Sequence, residues 1–299
     1  MAATRGLDRG RINQAAVDAA FSQDLARWIE VQRAAGLDFV SDGLLRWQDI
    51  FRPLVEGLGI RPHTLVRWFD TNTFFREPEF SGKVARLAKL DGAMPDDSVP
   101  RPRVTTLPSP YLFSREAATD QNRNRLMVGL AEQVLRPAID EAVIRGSELI
   151  HLQEPWLAYH GIEAGDWAPL AEALDVLHRN LRAGLVLHVY FGDAAPHLTQ
   201  LRKLPIDAIG IDFLETDTAA LGRDWNLDLV AGLINGRDSN VEPVDGLVEA
   251  ARHLADTVRP RNLYVTSNCE LSYLPTTVAE RKVQRLGEAG RKLKELVSV

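Results

Sequence analysis

Short, nearly continuous apolar runs recur along the chain, each followed by a polar or turn-rich stretch and often by a segment with helical periodicity. Leu37–Asp42, Arg103–Leu107, Glu148–Glu154, Val186–Phe191, Ala208–Phe213, Leu229–Ile234 and Leu263–Thr266 make seven such runs. Runs that are apolar on successive residues suit strands buried on both faces, as in a parallel sheet. Between them the apolar spacing turns helical. Residues 12–35 place Ala16, Ala19, Leu25, Trp28, Ile29 and Val31 among the candidate core positions. Residues 122–146 repeat the pattern, with Pro137 expected to kink the helix. Residues 166–183, 244–258 and 277–299 are further amphipathic helices, the last rich in Lys and Arg. The acidic, Pro-containing stretch 91–100 reads as a surface loop.

Alternation of strand and helix predicts either a doubly wound sheet or a (β/α)8 barrel. No Gly-x-Gly-x-x-Gly follows a strand, and no phosphate loop ending in Gly-Lys-Ser or Gly-Lys-Thr is present, so a nucleotide-binding sheet loses support. Polar residues gather instead at the carboxyl ends of the runs: Ser41-Asp42, Gln153-Glu154, His188, Asp212, Asn235 and Asn268-Cys269. That distribution fits a TIM barrel whose site is assembled from several strand–helix loops. A single barrel domain over residues 1–299 is expected, with the eighth strand irregular, disguised near Leu65–Phe69, or missing at the N-terminus.

Composition narrows the partners. An apolar share of 45% and a charged share of 25% suffice for a sizeable core. The formal net charge of −6 argues against nucleic acid or an anionic membrane as the main partner. No apolar stretch approaches the roughly 20 residues needed to span a bilayer, and one cysteine in 299 residues excludes an internal disulfide. A reducing, cytoplasmic setting is expected.

Candidate chemistry centres on that one cysteine. Cys269 closes the run Asn262–Glu270, and His188 lies at the corresponding depth in Leu185–Phe191. On one barrel the two would face the same cavity. Taken alone, each has a plainer reading, a small buried thiol and a satisfied core histidine. Asp212, a charge in an apolar strand, needs a partner, either a metal or Arg237. Glu154 before Pro155 can orient a substrate, serve as general acid or base, or cap a helix. Asp42, Asn235 and Asn268 can offer hydrogen bonds to a polar substrate, or simply form turns. Trp68 and Trp156 can cover the mouth, and His151 and His160 stand in reserve.

Several stretches resemble the C-terminal catalytic barrel of cobalamin-independent methionine synthase, in the superfamily that includes uroporphyrinogen decarboxylase. Gly36–Gly43 resembles the segment ahead of a substrate-binding acidic residue. Thr105–Pro110 stands where the family has a Gly-Pro-Val-Thr-like loop. Ile150–Leu157 is similar to Ile-Gln-Ile-Asp-Glu-Pro-Ala-Leu, and Leu263–Leu271 parallels a strand ending Asp-Cys-Gly-Leu. The resemblance implies a methionine-synthase-like methyl- or alkyltransferase acting on a thiol, with Zn2+ activating the acceptor. It implies His188, Asp212 and Cys269 as metal ligands around an open position, with Glu215 and Tyr190 as alternative oxygen ligands. Tyr190 replaces the first cysteine of the family's His-x-Cys strand.

The amino-acid pocket departs further. Leu44 and Gln153 stand where the family has carboxylates that receive the substrate's ammonium group. Neutral side chains there disfavour homocysteine, because a buried cation without a partner is costly. The methyl donor is open between a folate, a corrinoid protein and a small methylated compound. Two alternatives stand beside transfer. One is lyase or hydrolase chemistry on a carboxylated molecule, through Glu154 and Asp212. The other is an accessory subunit whose open edge receives a second copy or a partner.

Overall fold

The computed structural model describes residues 2–297, apart from 61, 62, 89, 91–93, 95, 96 and 224. Much of the stretch expected as a loop at 91–100 therefore lies outside the described residues. Six of the predicted strands form one parallel sheet: β1 (Arg103–Pro108), β2 (Ser147–Glu154), β3 (Gly184–Val189), β4 (Ala208–Asp212), β5 (Asp228–Ile234) and β6 (Leu263–Ser267). They lie side by side in chain order from β1 to β6. Each crossover carries the chain back over the sheet before the next parallel strand begins, as parallel pairing requires. The strands from β2 to β5 are buried almost throughout, whereas every residue of β6 is half-buried.

The seventh predicted strand, Leu37–Asp42, is reduced to one bridge between Val40 and Arg103. The reason is a side chain. The Gln32 amide nitrogen donates to the Ser41 carbonyl at 2.9 Å, and its amide oxygen accepts from the Ser41 N–H at 2.9 Å. Successive residues of an extended chain turn their backbone groups to opposite sides. Val40 therefore bonds β1 while Gln32 occupies the side where a further strand would pair. Across that side the Phe39 ring meets the Tyr264 ring of β6 edge to face, with centroids 6.1 Å apart. The fold is a curled parallel half-barrel; no eighth strand joins the sheet among the described residues. Leu65–Arg67 belongs instead to a separate antiparallel hairpin with Phe74–Arg76.

The helices follow the predicted pattern with sharper ends. Gln14–Ala35 starts at Asn13, whose side chain accepts from the Ala16 N–H, and ends at Gly36 with φ 76°. Glycine is favoured at that left-handed cap. The expected break at Pro137 is absorbed without ending the helix: Arg123–Leu130, a π-turn at Ala131–Leu135 and Arg136–Ile144 run on continuously. Pro137 has no N–H for the Gln133 carbonyl, and that carbonyl accepts the Leu87 N–H at 2.7 Å instead. Thr276–Val297 closes the fold against the first long helix.

Candidate functional site

The carboxyl ends of the strands gather most of the expected residues. Gln153 is the last residue but one of β2, His188 and Tyr190 lie at the end of β3, Asp212 ends β4, and Asn268, Cys269 and Glu270 follow β6. Strand order alone brings them together, because parallel neighbours place equivalent ends side by side. Register pairs Gln153 with His188, and His188 with Gly210. A β-carbon on Gly210 would meet the His188 ring 2.5 Å away, so this glycine makes room for the imidazole.

At the centre lies a carboxylate that the motifs did not single out. Tyr190 Oη donates to Glu270 Oε1 at 2.8 Å and also approaches Gln153 Oε1 at 3.3 Å. Tyr273 Oη donates to Glu270 Oε2 at 2.9 Å. Burial raises the Glu270 carboxyl above its ordinary range, against the two phenols that lower it. The Tyr190 phenol is pushed up by burial and by the neighbouring Glu270. Nothing near Glu270 in sequence reveals its main partner, since Tyr190 stands 80 positions earlier.

The histidines pair. His151 Nε2 and His188 Nδ1 lie 2.9 Å apart in a hydrogen bond, while His188 Nε2 is buried with no protein partner. Burial lowers the His151 pKa to about 4; burial and His151 hold His188 well below the usual imidazole range. The pair is neutral at pH 7. His151, a reserve candidate on sequence grounds, thus belongs to the cluster.

The remaining candidates are engaged locally. Asp212 Oδ2 accepts from Asn268 Nδ2 at 3.0 Å and Oδ1 accepts from the Leu214 N–H at 3.0 Å. Its carboxyl is raised by burial, with those bonds opposing. Asn268 Oδ1 accepts from Gly236 N at 2.8 Å, tying β6 to the loop after β5. The Cys269 thiol is pushed strongly upward, first by burial and then by Glu270 and Asp212. Glu154 is fully buried and caps two helices at once: Oε1 accepts from Leu157 N at 2.9 Å, and Oε2 accepts from Leu112 N at 3.1 Å and from the Ser109 hydroxyl. Asp42 accepts the Leu44 N–H and Asn235 accepts the Arg237 N–H, the turn reading of each. Glu215 is exposed.

Aromatic rings wall the mouth. Phe69 lies 5.6 Å from Phe191, 6.4 Å from Trp156 and 5.8 Å from His160, centroid to centroid. Phe191 continues to Tyr190 and Tyr273 at 4.7 and 6.1 Å. Trp68 is buried against Phe51, Phe69 and Phe75. Asp70, next to Phe69, pairs with Arg237 at 2.7 Å, and the Arg237 guanidinium stands 5.0 Å over the Phe191 ring. Leu44, Phe69 and Phe191 all have φ between 47° and 66°, a strained region for such side chains. Of the two rings that the sequence offers as a cover, Trp156 lies in this wall, whereas Trp68 is buried behind it and its neighbour Phe69 takes the place at the mouth.

The metal reading meets this geometry directly. Among the described residues, no three His, Cys, Asp or Glu side chains come together as a group able to hold a metal ion. His188, Asp212 and Cys269 share the mouth without converging, and Glu215 and Tyr190 do not complete them: one is exposed and the other is bonded to Glu270. A catalytic zinc requires about three protein ligands around an open position. The residues present do not fit it.

Comparison with known proteins places the chain. The family profile described as cobalamin-independent synthase, N-terminal domain, matches residues 58–258. The profile names the N-terminal half of that family, whereas the motifs quoted above resemble its C-terminal half. A methionine synthase of Sulfolobus acidocaldarius is 24% identical over 287 residues, covering 92% of this chain and 82% of the relative. One of Sulfurisphaera tokodaii is 22% identical over 298 residues, covering 96% and 86%. Among solved structures, a B12-independent methionine synthase from Shewanella sp. W3-18-1, in complex with selenomethionine, shares the fold with a TM-score of 0.80 at 20% identity, covering 97% of this chain and 92% of that one. A methyltransferase from Methanosarcina mazei gives 0.59 at 13%, covering 88% and 84%.

Proposed function

The chain belongs to the cobalamin-independent synthase family, and we propose that it is a methyltransferase whose thiol acceptor enters the mouth of the curled sheet. The observation that carries this reading is the network of Gln153, Tyr190, Glu270 and Tyr273 at the strand ends, set beneath the aromatic wall of Phe69, Trp156 and Phe191. Methyl transfer demands that a nucleophilic atom and a methyl carbon meet in line, so its main requirements are positioning and exclusion of water. Rings supply the wall. The phenols fix the Glu270 carboxylate, which retains lone pairs for a donor on the acceptor. The Asn268–Asp212 bond holds the end of β6 against β4.

Zinc, which the resemblance implies, enters no step of this reading because the donor set does not fit it. Lyase or hydrolase chemistry through Glu154 and Asp212 finds little support: both are buried, Glu154 under three donors that cap two helices and Asp212 under Asn268 and the Leu214 N–H, whereas Glu270 is half-buried at the strand ends. Leu44 and Gln153 are neutral, as the sequence reads, but Gln153 shares the Tyr190 phenol with Glu270. A carboxylate therefore stands close to the position that lost one.

The test is transfer of a labelled methyl group from a methylfolate, a methylcorrinoid or a small methylated donor to a panel of thiols. Glu270→Gln keeps the shape and removes the charge. A charge-assisted hydrogen bond contributes about 1.5–3 kcal/mol, so kcat/KM is expected to fall about 10- to 100-fold. No transfer from any of the three donor classes would sink the reading. Full activity in Glu270→Gln would remove that residue from it.

A further inference from the structure

We infer that this chain has replaced a metal-thiolate centre with a direct hydrogen bond between strand ends, so that its mouth does not bind zinc. The inference concerns the site's construction and holds whichever donor and acceptor the enzyme uses.

Two positions carry it. The resemblance puts a thiolate at the third residue of a His-x-Cys strand and another at the end of a late strand. Here the first position is Tyr190 and the second is Cys269, followed by Glu270. In the structure these two strand ends do meet, through Tyr190 Oη donating to Glu270 Oε1 at 2.8 Å. Tyr273 holds the second oxygen of the same carboxylate, so the acid is fixed from both sides by residues of different segments. A phenol and a carboxylate thus occupy the space between β3 and β6.

The neighbouring donors are arranged to match. Asp212 is bonded through both oxygens, to Asn268 and Leu214. Cys269 Sγ lies against Gly236, close enough that a β-carbon there would be 2.7 Å from the sulfur. The sulfur contacts the Glu270 carbonyl at 3.9 Å and the backbone of Gly236. His188 Nδ1 is bonded to His151, leaving Nε2 as the one buried imidazole nitrogen without a protein partner among the described residues. One free nitrogen is not a zinc site, which takes three or four protein ligands. Losing the first thiolate also removes one of the soft ligands that select zinc over harder cations.

The construction makes a reversible prediction. Tyr190→Cys supplies a second thiol two residues from His188, and Glu270→Gly clears the carboxylate from the gap. With His188 Nε2 and Cys269 already present, the double variant has three ligands of the right chemistry. Purified wild-type protein and the double variant would each be dialysed against Zn2+, then assayed by elemental analysis and by competition with a chromophoric chelator. Co2+ loading adds a spectroscopic readout, the thiolate-to-metal charge-transfer band.

Wild type is expected to retain substoichiometric zinc and show no such band. The double variant is expected to bind one metal per chain, roughly 100-fold tighter or more, with the band present. Far-UV circular dichroism checks that the variant is folded; if it is not, the wild-type measurement decides alone. One tightly held zinc per wild-type chain, lost in Cys269→Ala, overturns the inference. So does a folded double variant that binds no better than wild type, since the Tyr190–Glu270 bond would then not be what stands in place of the metal. Neither readout needs turnover, so failure of methyl transfer and failure of this inference are separate results.

Discussion

Glu154 receives three hydrogen bonds, yet burial raises its pKa from 4.5 to about 7, with Ser109, Leu157, Leu112 and Arg115 only partly opposing. A carboxyl raised on folding holds its proton in the native state while the unfolded chain has already released it. Its stabilising contribution is present below about pH 4.5 and is lost as pH rises through about 7. The displacement corresponds to a loss on the order of 3 kcal/mol, at about 1.4 kcal/mol per pH unit. His151, lowered to about 4, works the other way, since its neutral form is favoured and stability is lost as pH falls below 6.5. The two slopes overlap, so the Glu154 contribution is isolated by difference. Glu154→Gln is expected to be destabilising at pH 5 by a larger margin than at pH 8, measured by urea unfolding of both proteins across that range. A margin that stays constant with pH would show that Glu154 is ionised throughout. The capping role was legible at this scale, because Glu154 precedes a proline that suits the first turn of a helix. Glu270 was not, since its importance comes from two phenols, one of them far away in the chain.

Element boundaries followed from periodicity wherever each element's own side chains set them. Five of the six strands in the sheet begin and end within one residue of the apolar runs, and β3 starts two residues early and ends two early. Where a side chain from elsewhere intervenes, the pattern misled. Leu37–Asp42 has the composition of a strand, but Gln32 takes the Ser41 backbone groups and leaves one bridge. Pro137 has the chemistry of a helix breaker, but a π-turn and the Leu87 N–H accommodate it. The contact between the two longest helices was equally hidden. Gly287 in Thr276–Val297 faces Ala35 so closely that a β-carbon would lie 1.9 Å from the Ala35 carbonyl oxygen. Arg291 donates to that same carbonyl, and Arg27 pairs with Glu280 nearby. Gly287→Ala should gain about 1 kcal/mol in helix propensity. Overpacking against backbone is expected to outweigh that gain, costing about 1–3 kcal/mol. Thermal melts of the variant decide: a raised Tm would mean that the helices do not approach as described.

At the scale of the molecule, strand–helix alternation gave the α/β class and the placement of the site at the strand ends, because parallel order follows from the crossovers. Closure was not readable, since it depends on how a curled sheet meets its own edge at Phe39 and Tyr264. The cover over the site depends likewise on tertiary contacts. The turn joining Leu65–Arg67 to Phe74–Arg76 lays Phe69 among Trp156, Tyr159, His160 and Phe191, and anchors Asp70 to Arg237 on the loop after β5. Asp70 and Arg237 keep 47% and 36% of their side-chain surface exposed. Screening by water limits such a pair to about 1 kcal/mol or less. Arg237→Ala is therefore expected to leave the global Tm nearly unchanged while loosening this cover alone. Amide exchange of residues 68–73 should accelerate up to about 5-fold, the ratio that corresponds to 1 kcal/mol in local opening. The strands beneath should exchange as before, and the KM for the acceptor should rise more than kcat falls, since the cover acts on binding. Unchanged exchange at 68–73 would show that the aromatic contacts of Phe69 hold the turn without the ion pair. Phe69→Ala, which removes those contacts, should then produce the acceleration on its own.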